Sequence, residues 1–160
     1  MFSLILHNIR SAHNVGSVFR TADGAGVDKI YITGITPRPI DRFGREDAKI
    51  AKVALGAEKT LEWESRDIDE LLSELRDSGV QLVALEQDAR STPYTAFMPE
   101  KKCALLLGTE VGGIEKDLLQ RMDAIIEIPM KGSKDSLNVS VATGIALFEM
   151  VRKKSGDQSH

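Results

Sequence analysis

Cysteine is almost missing from this 160-residue chain. Cys103 stands alone, so no internal disulfide can form, and His7, His13 and His160 are too scattered to join it at metal-ligand spacing. The sequence therefore asks for no metal. Aromatic residues are scarce at 5%, and no run approaches the roughly 20 uninterrupted apolar residues of a membrane span. The opening residues lack the basic-then-apolar layout of a secretory leader, so a cytoplasmic location with no membrane partner is expected. An excess of positive charge is missing too: 21 Lys and Arg face 24 Asp and Glu, a net charge of -3, whereas phosphate binding ordinarily leaves a basic footprint. The distribution tempers that objection, because residues 1–52 hold 8 basic against 5 acidic side chains and residues 53–160 hold 13 against 19. Much of the acidity sits in residues 58–77, which read as a solvated helix face.

What is present is the composition of one compact domain over residues 1–160, with 42% hydrophobic and 28% charged residues and no low-complexity tract. Apolar, β-type runs at residues 2–6, 29–33, 81–85, 103–107 and 124–128 alternate with helical patterns. Their near-continuous hydrophobicity predicts an α/β fold, a mostly parallel sheet covered by helices on both faces. A first helix is expected from an Asn14 N-cap, burying Val15, Val18, Phe19 and Ala22 and ending at Gly24 and Gly26. A second runs over 68–76 and stops at Gly79, a third spans 115–122, and a last one, over 139–153, is apolar almost all round. So apolar a terminal helix in so small a domain predicts burial on more than one side, its outer face against a second copy of the chain. Cys103 and Trp63 read as packing residues. The stretches 34–47 and 88–100 read as functional loops, and 155–160 as a disordered tail.

Three segments combine glycine with polar residues where a strand gives way to a helix. In the first, Asn14-Val15-Gly16-Ser17-Val18-Phe19-Arg20, helical spacing places Asn14, Ser17 and Arg20 near one another, and the guanidinium suits a phosphate. A helix cap and a surface ion pair account for the same residues. In the second, Gly108-Thr109-Glu110-Val111-Gly112-Gly113, Glu110 stands where the dinucleotide fingerprint has its second glycine and would repel a pyrophosphate. That carboxylate suits a ribose, an amine or an arginine, and a plain tight turn is the alternative. In the third, Ile128-Pro129-Met130 leads through residues 131–135 to Ser136-Leu137-Asn138-Val139-Ser140. Ser136 and Asn138 are both N-cap types at a helix start that needs one, so one is spare. A hydrolase with Ser136 as nucleophile lacks the G-x-S-x-G elbow and a partner histidine.

In order and spacing, these segments resemble the three motifs of the SpoU-like, TrmH-type branch of the SPOUT RNA 2'-O-ribose methyltransferases: N-x-G-x-x-x-R, G-x-E-x-x-G, and I-P-M followed by S-L-N-V-S. The resemblance implies a deep C-terminal trefoil knot, an exception to the rule against knotted chains. It implies S-adenosylmethionine held around Leu85, Glu86, Leu107, Gly108, Ile128, Met130, Ser136, Leu137 and Asn138, with S-adenosylhomocysteine as product. It also implies a homodimer in which the methyl group faces the first motif of the partner, and a substrate that is RNA, tRNA ahead of ribosomal RNA. Arg20 matches the arginine that activates the hydroxyl, with Asn14, Glu110, Ser136 and Asn138 as its catalytic companions. Guanidinium groups make poor bases, so Arg20 is expected to orient the target phosphate and hydroxyl. Arg10, Arg38, Arg42 and Arg45 are the expected further RNA contacts, unless a helper protein supplies them. A non-catalytic RNA-binding or assembly protein that keeps the fold is the alternative reading.

Overall fold

The computed structural model describes residues 1–156. Among them seven strands form one sheet: β1 (Phe2–His7), β2 (Lys29–Thr33), β3 (Glu62–Arg66), β4 (Gln81–Leu85), β5 (Thr92–Pro93), β6 (Cys103–Leu107) and β7 (Ala124–Glu127). Their order is β3-β2-β1-β6-β4-β7-β5. Every pairing is parallel, so all the strands end on the same edge of the sheet. The helices are α1 (Ala12–Ala25), α2 (Ala48–Ala54), α3 (Ala57–Thr60), α4 (Ile68–Asp77), α5 (Lys116–Gln120) and α6 (Val139–Lys154). None is long and apolar enough to cross a membrane.

The period of two along each strand sorts the core into two layers. Phe2, Leu4 and Leu6 of β1 join Val15, Val18 and Phe19 of α1, Ile50 of α2, and Ala146, Leu147 and Met150 of α6. Ile5 faces the other way, with Leu71, Leu72 and Leu75 of α4 and Leu118 and Leu119 of α5. Central strands covered on both sides have no outward-facing position to fill with polar residues, which is why their runs are continuously apolar. Close packing also explains Gly16 of the first motif. A Cβ there would come within 2.7 Å of the Ile50 carbonyl oxygen, so α2 could not lie against α1.

Several expectations need correction. Residues 58–77 are not one solvated helix face: they form α3, the edge strand β3 and α4. Lys29 of β2 reaches across to Glu62 (3.0 Å) and Glu64 (3.1 Å), and Arg66 joins Glu64 (2.9 Å) to Glu74 (2.5 Å). Those charges mark an edge strand, where they also discourage pairing with another sheet. Trp63 does pack, half-buried, against the first core layer. Helix α1 is capped by Ser11, whose hydroxyl accepts from the Asn14 N–H at 3.1 Å, so Asn14 lies inside the first turn. Its end is Gly26, at φ 75°, with Gly24 still helical.

Helix α6 buries Thr143, Ala146, Leu147 and Met150 but leaves Val141, Ile145 and Phe148 exposed, so within one chain only one side is covered. At its end the Ser155 N–H and hydroxyl both bond the Val151 carbonyl, and Ser155 and Gly156 form a turn. The remainder of the expected tail, 157–160, lies outside the described residues. Cys103 is wholly buried, and burial pushes its thiol up to about 12, which leaves it a packing residue.

Candidate functional site

The loops that follow β4, β6 and β7 meet at the C-terminal edge of the sheet around a cavity of about 510 Å³. That is the size and the place at which α/β sheets hold small ligands. All nine residues expected to hold a cofactor line it: Leu85 and Glu86 after β4, Leu107 and Gly108 after β6, Ile128 and Met130 after β7, and Ser136, Leu137 and Asn138 before α6. Gln87, Thr109, Asp135 and Ala142 line it as well and were not expected. Gln87 and Thr109 were within reach of sequence reasoning, since each lies two residues past the end of a buried strand; Asp135 and Ala142 depend on how residues 128–138 return over the sheet.

Glu86 holds the cavity wall together. Its carboxylate accepts from the Gln87 N–H (2.9 Å) and from the Ile114 N–H (2.9 Å), tying the end of β4 to the loop after β6. The glycines of that loop serve its own packing and are not simply a backbone left open to a ligand. A Cβ on Gly108 would lie 2.3 Å from the Ile114 side chain, and one on Gly113, at φ 70°, would lie 2.3 Å from the Glu86 carboxylate. Gln87 Nε2 donates to the Asp135 carbonyl at 2.5 Å and so fastens the third motif to the end of β4.

The three motifs converge through a single chain of hydrogen bonds. Asn14 Nδ2 donates to Glu110 Oε1 at 3.0 Å, and Asn14 Oδ1 accepts from Asn138 Nδ2 at 3.3 Å. Asn138 Oδ1 in turn caps α6, accepting from the Ser140 N–H (2.9 Å) and hydroxyl (2.6 Å). Glu110 also accepts from the backbone N–H groups of Arg10 (3.1 Å) and Ser11 (3.4 Å). A carboxylate can only accept, so it sets the orientation of the Asn14 amide, and that amide sets the orientation of the next. Partial burial alone would raise the Glu110 carboxyl, but the hydrogen bonds from Asn14, Arg10 and Ser11 outweigh it and hold the group below its ordinary value. Glu110 is therefore ionised at neutral pH.

Ser136 is the spare cap type: it is exposed at the cavity and has no hydrogen-bond partner among the described residues. Arg20 is exposed on α1, without an ion pair among the described residues, and does not line the cavity of its own chain. Asn14, Ser17 and Arg20 all lie on α1, but no hydrogen bond joins them among the described residues. Asn14 turns inward to Glu110 while Arg20, six residues on, faces solvent. Arg10, Arg38, Arg42 and Arg45 are all exposed, with Arg45 held by Asp41 at 2.9 Å. Among the described residues no three His, Cys, Asp or Glu side chains gather as a metal site would require.

The sequence model of the SpoU rRNA Methylase family matches residues 1–148. The chain belongs to that family. Among its curated relatives, the 23S rRNA (guanosine-2'-O-)-methyltransferase RlmB of Pectobacterium atrosepticum is 36% identical over 97% of this chain and 61% of its own length. The chain thus spans about three fifths of the curated relatives it matches. Among solved structures, the AdoMet-bound rRNA methyltransferase from Sinorhizobium meliloti has a TM-score of 0.86 at 30% identity, over 99% of this chain and 57% of that one. The A. aeolicus TrmH/SpoU tRNA modifying enzyme has a TM-score of 0.83 at 28% identity, over 97% of this chain and 76% of that one. The mostly parallel α/β sheet derived above is thus the fold of SpoU-family proteins.

Proposed function

We propose that this chain is an S-adenosylmethionine-dependent methyltransferase that acts on a ribose 2'-hydroxyl of RNA. The observation that carries the proposal is the Glu110–Asn14–Asn138 hydrogen-bond chain, which locks all three motifs together at the rim of a cavity of small-ligand size. The lining fits an adenosyl group with a charged amino-acid tail. Leu85, Leu107, Ile128, Met130 and Leu137 offer apolar walls, the backbone at Gly108 carries no side chain, and Asp135 and the Ser136 hydroxyl supply polar partners. When bound, S-adenosylmethionine supplies a methyl group already activated on a sulfonium, which passes to the ribose oxygen as the hydroxyl proton departs and leaves S-adenosylhomocysteine.

The protein's part is alignment and exclusion of water. Glu110, Asn14 and Asn138 are positioning residues, each amide used at both ends. Glu86 acts through the loops it joins, since its carboxylate is already engaged. Arg20 orients the target phosphate and hydroxyl, and because it lies away from its own cavity we assign it to the cavity of a second subunit. The exposed apolar stripe of α6, Val141, Ile145 and Phe148, supports such a homodimer, because a soluble monomer has no use for it. Arg10, Arg38, Arg42 and Arg45 supply phosphate contacts in the basic N-terminal third.

We also assign the C-terminal trefoil knot. Its support is that the 86–102 connection touches both the residues just before α6 and the last turn of α6: Gln87 bonds Asp135, and Lys153 bonds the carbonyls of Thr95 and Phe97. Preference for tRNA over ribosomal RNA has no support from the relatives, which include both kinds. Incubation with radiolabelled S-adenosylmethionine and unmodified tRNA or ribosomal RNA, followed by nucleoside analysis, tests the proposal and separates the two. Label in a 2'-O-methylated nucleoside is expected. Absence of label from both RNAs, with cofactor binding demonstrated, would refute it.

A further inference from the structure

The loop between β2 and α2 leaves the same sheet edge as the cavity and carries an arrangement that methyl transfer does not require. Residues 40–46 fold into a small rigid hairpin. Ile40 and Glu46 form an antiparallel bridge, and the Asp41 N–H bonds the Arg45 carbonyl at 2.9 Å. Asp41 Oδ1 accepts from the N–H groups of Phe43 (2.8 Å) and Arg45 (3.0 Å), and Gly44 takes the turn at φ 78°. At the tip stands Phe43, 67% exposed, which no turn chemistry calls for. Two guanidiniums lie over its ring, Arg42 at 4.8 Å and Arg45 at 5.0 Å from the centroid. Arg45 is pinned by its ion pair with Asp41; Arg42 has no ion pair among the described residues and can swing from the ring to a phosphate.

We propose that Phe43, flanked by Arg42 and Arg45, is a stacking platform for an unpaired RNA base close to the methylated nucleotide. An exposed aromatic ring beside mobile positive charge is what recognition of single-stranded nucleic acid uses, the ring for the base and the cation for the backbone. Trp63, with Glu62 and Glu64 on either side, is half-buried and lacks that setting. Preorganisation strengthens the case, because the tip is already held by the Asp41 hydrogen bonds and binding would order little further. The sheet order places β2 two strands from β6, about 10 Å at the usual strand spacing, so the loop that carries Phe43 leaves the sheet edge close to the loop after β6 that bounds the cavity. Such a contact fits loops and bulges better than a closed duplex, whose bases stay stacked on one another.

The inference rests on the RNA methyltransferase reading, and the experiment separates the two. Binding of the intact protein to fluorescently labelled RNA from the labelling assay is measured directly, alongside methyl transfer, for Phe43→Leu, Phe43→Tyr and Arg42→Gln. Phe43→Leu keeps apolar bulk without a π-face and is expected to lose about tenfold in affinity with an unchanged salt slope. Phe43→Tyr should bind like the parent, and Arg42→Gln should lower the salt slope by about one contact. If the parent methylates RNA but Phe43→Leu binds it equally well, the platform is wrong and the enzyme reading stands. If Phe43→Leu instead changes the sedimentation coefficient, Phe43 is a subunit contact and the platform is likewise overturned. If the parent neither binds nor methylates RNA, both readings fall.

Discussion

At the residue scale, Asn14 carries the heaviest structural duty of any predicted site residue, since it is buried and its amide joins two motifs. Asn14→Ala would leave Glu110 and Asn138 without their shared partner. It is expected to lower stability by about 1–3 kcal/mol in chemical denaturation and to reduce methyl transfer at least tenfold, mainly in kcat. His7 provides a pH test. It is buried at the end of β1, with Nδ1 2.8 Å from the Thr33 hydroxyl, which itself donates to the Leu6 carbonyl, and with the Asn8 amide 3.2 Å from Nε2. This network suits the neutral ring, and burial pushes the imidazole below its ordinary value. The unfolded chain therefore takes up a proton first as pH falls. Stability should be complete above about pH 6.5 and decline below it, and His7→Gln should flatten that decline. Ser3, whose buried hydroxyl has no hydrogen-bond partner among the described residues, offers the converse: Ser3→Ala is expected to raise stability by about 1 kcal/mol.

At the element scale, the long apolar strands and α4 match their sequence patterns, because burial on one or both faces overrides local detail. β3 was missed, since an edge strand lined with Glu62, Glu64 and Arg66 has the composition of a solvated helix; only its pairing with Lys29 gives those charges a place in the sheet. The start of α1 was misplaced for a related reason: Ser11 and Asn14 are both good caps, and a remote carboxylate, Glu110, had already claimed the second. The loop after β6 yields a sharp expectation. Gly113→Ala adds both a strained positive φ and a clash with the Glu86 carboxylate, so it should destabilise the fold by about 1–3 kcal/mol and weaken S-adenosylmethionine binding in calorimetry.

At the scale of the whole molecule, the central prediction is that the site is shared between subunits. Arg20→Ala and Asn14→Ala should each be at least tenfold impaired alone, yet mixing them under exchange should restore methyl transfer, because one cavity of the mixed dimer would have both its own Asn14 and its partner's Arg20. No recovery, with exchange shown by mass spectrometry, would place Arg20 elsewhere. The sequence by itself determined the parallel α/β class, the loops that meet at the cavity and the identity of the motif residues, since strand burial and glycine-bearing junctions are local patterns. Only the tertiary structure decided that Asn14 faces Glu110 and Asn138, that Gly108 and Gly113 make room for Ile114 and Glu86, and that Arg20 does not line its own cavity. Gly108 and Ile114 are six positions apart, but the other contacts join residues 27 to 124 positions apart, and periodicity along a chain carries no information about which distant groups meet.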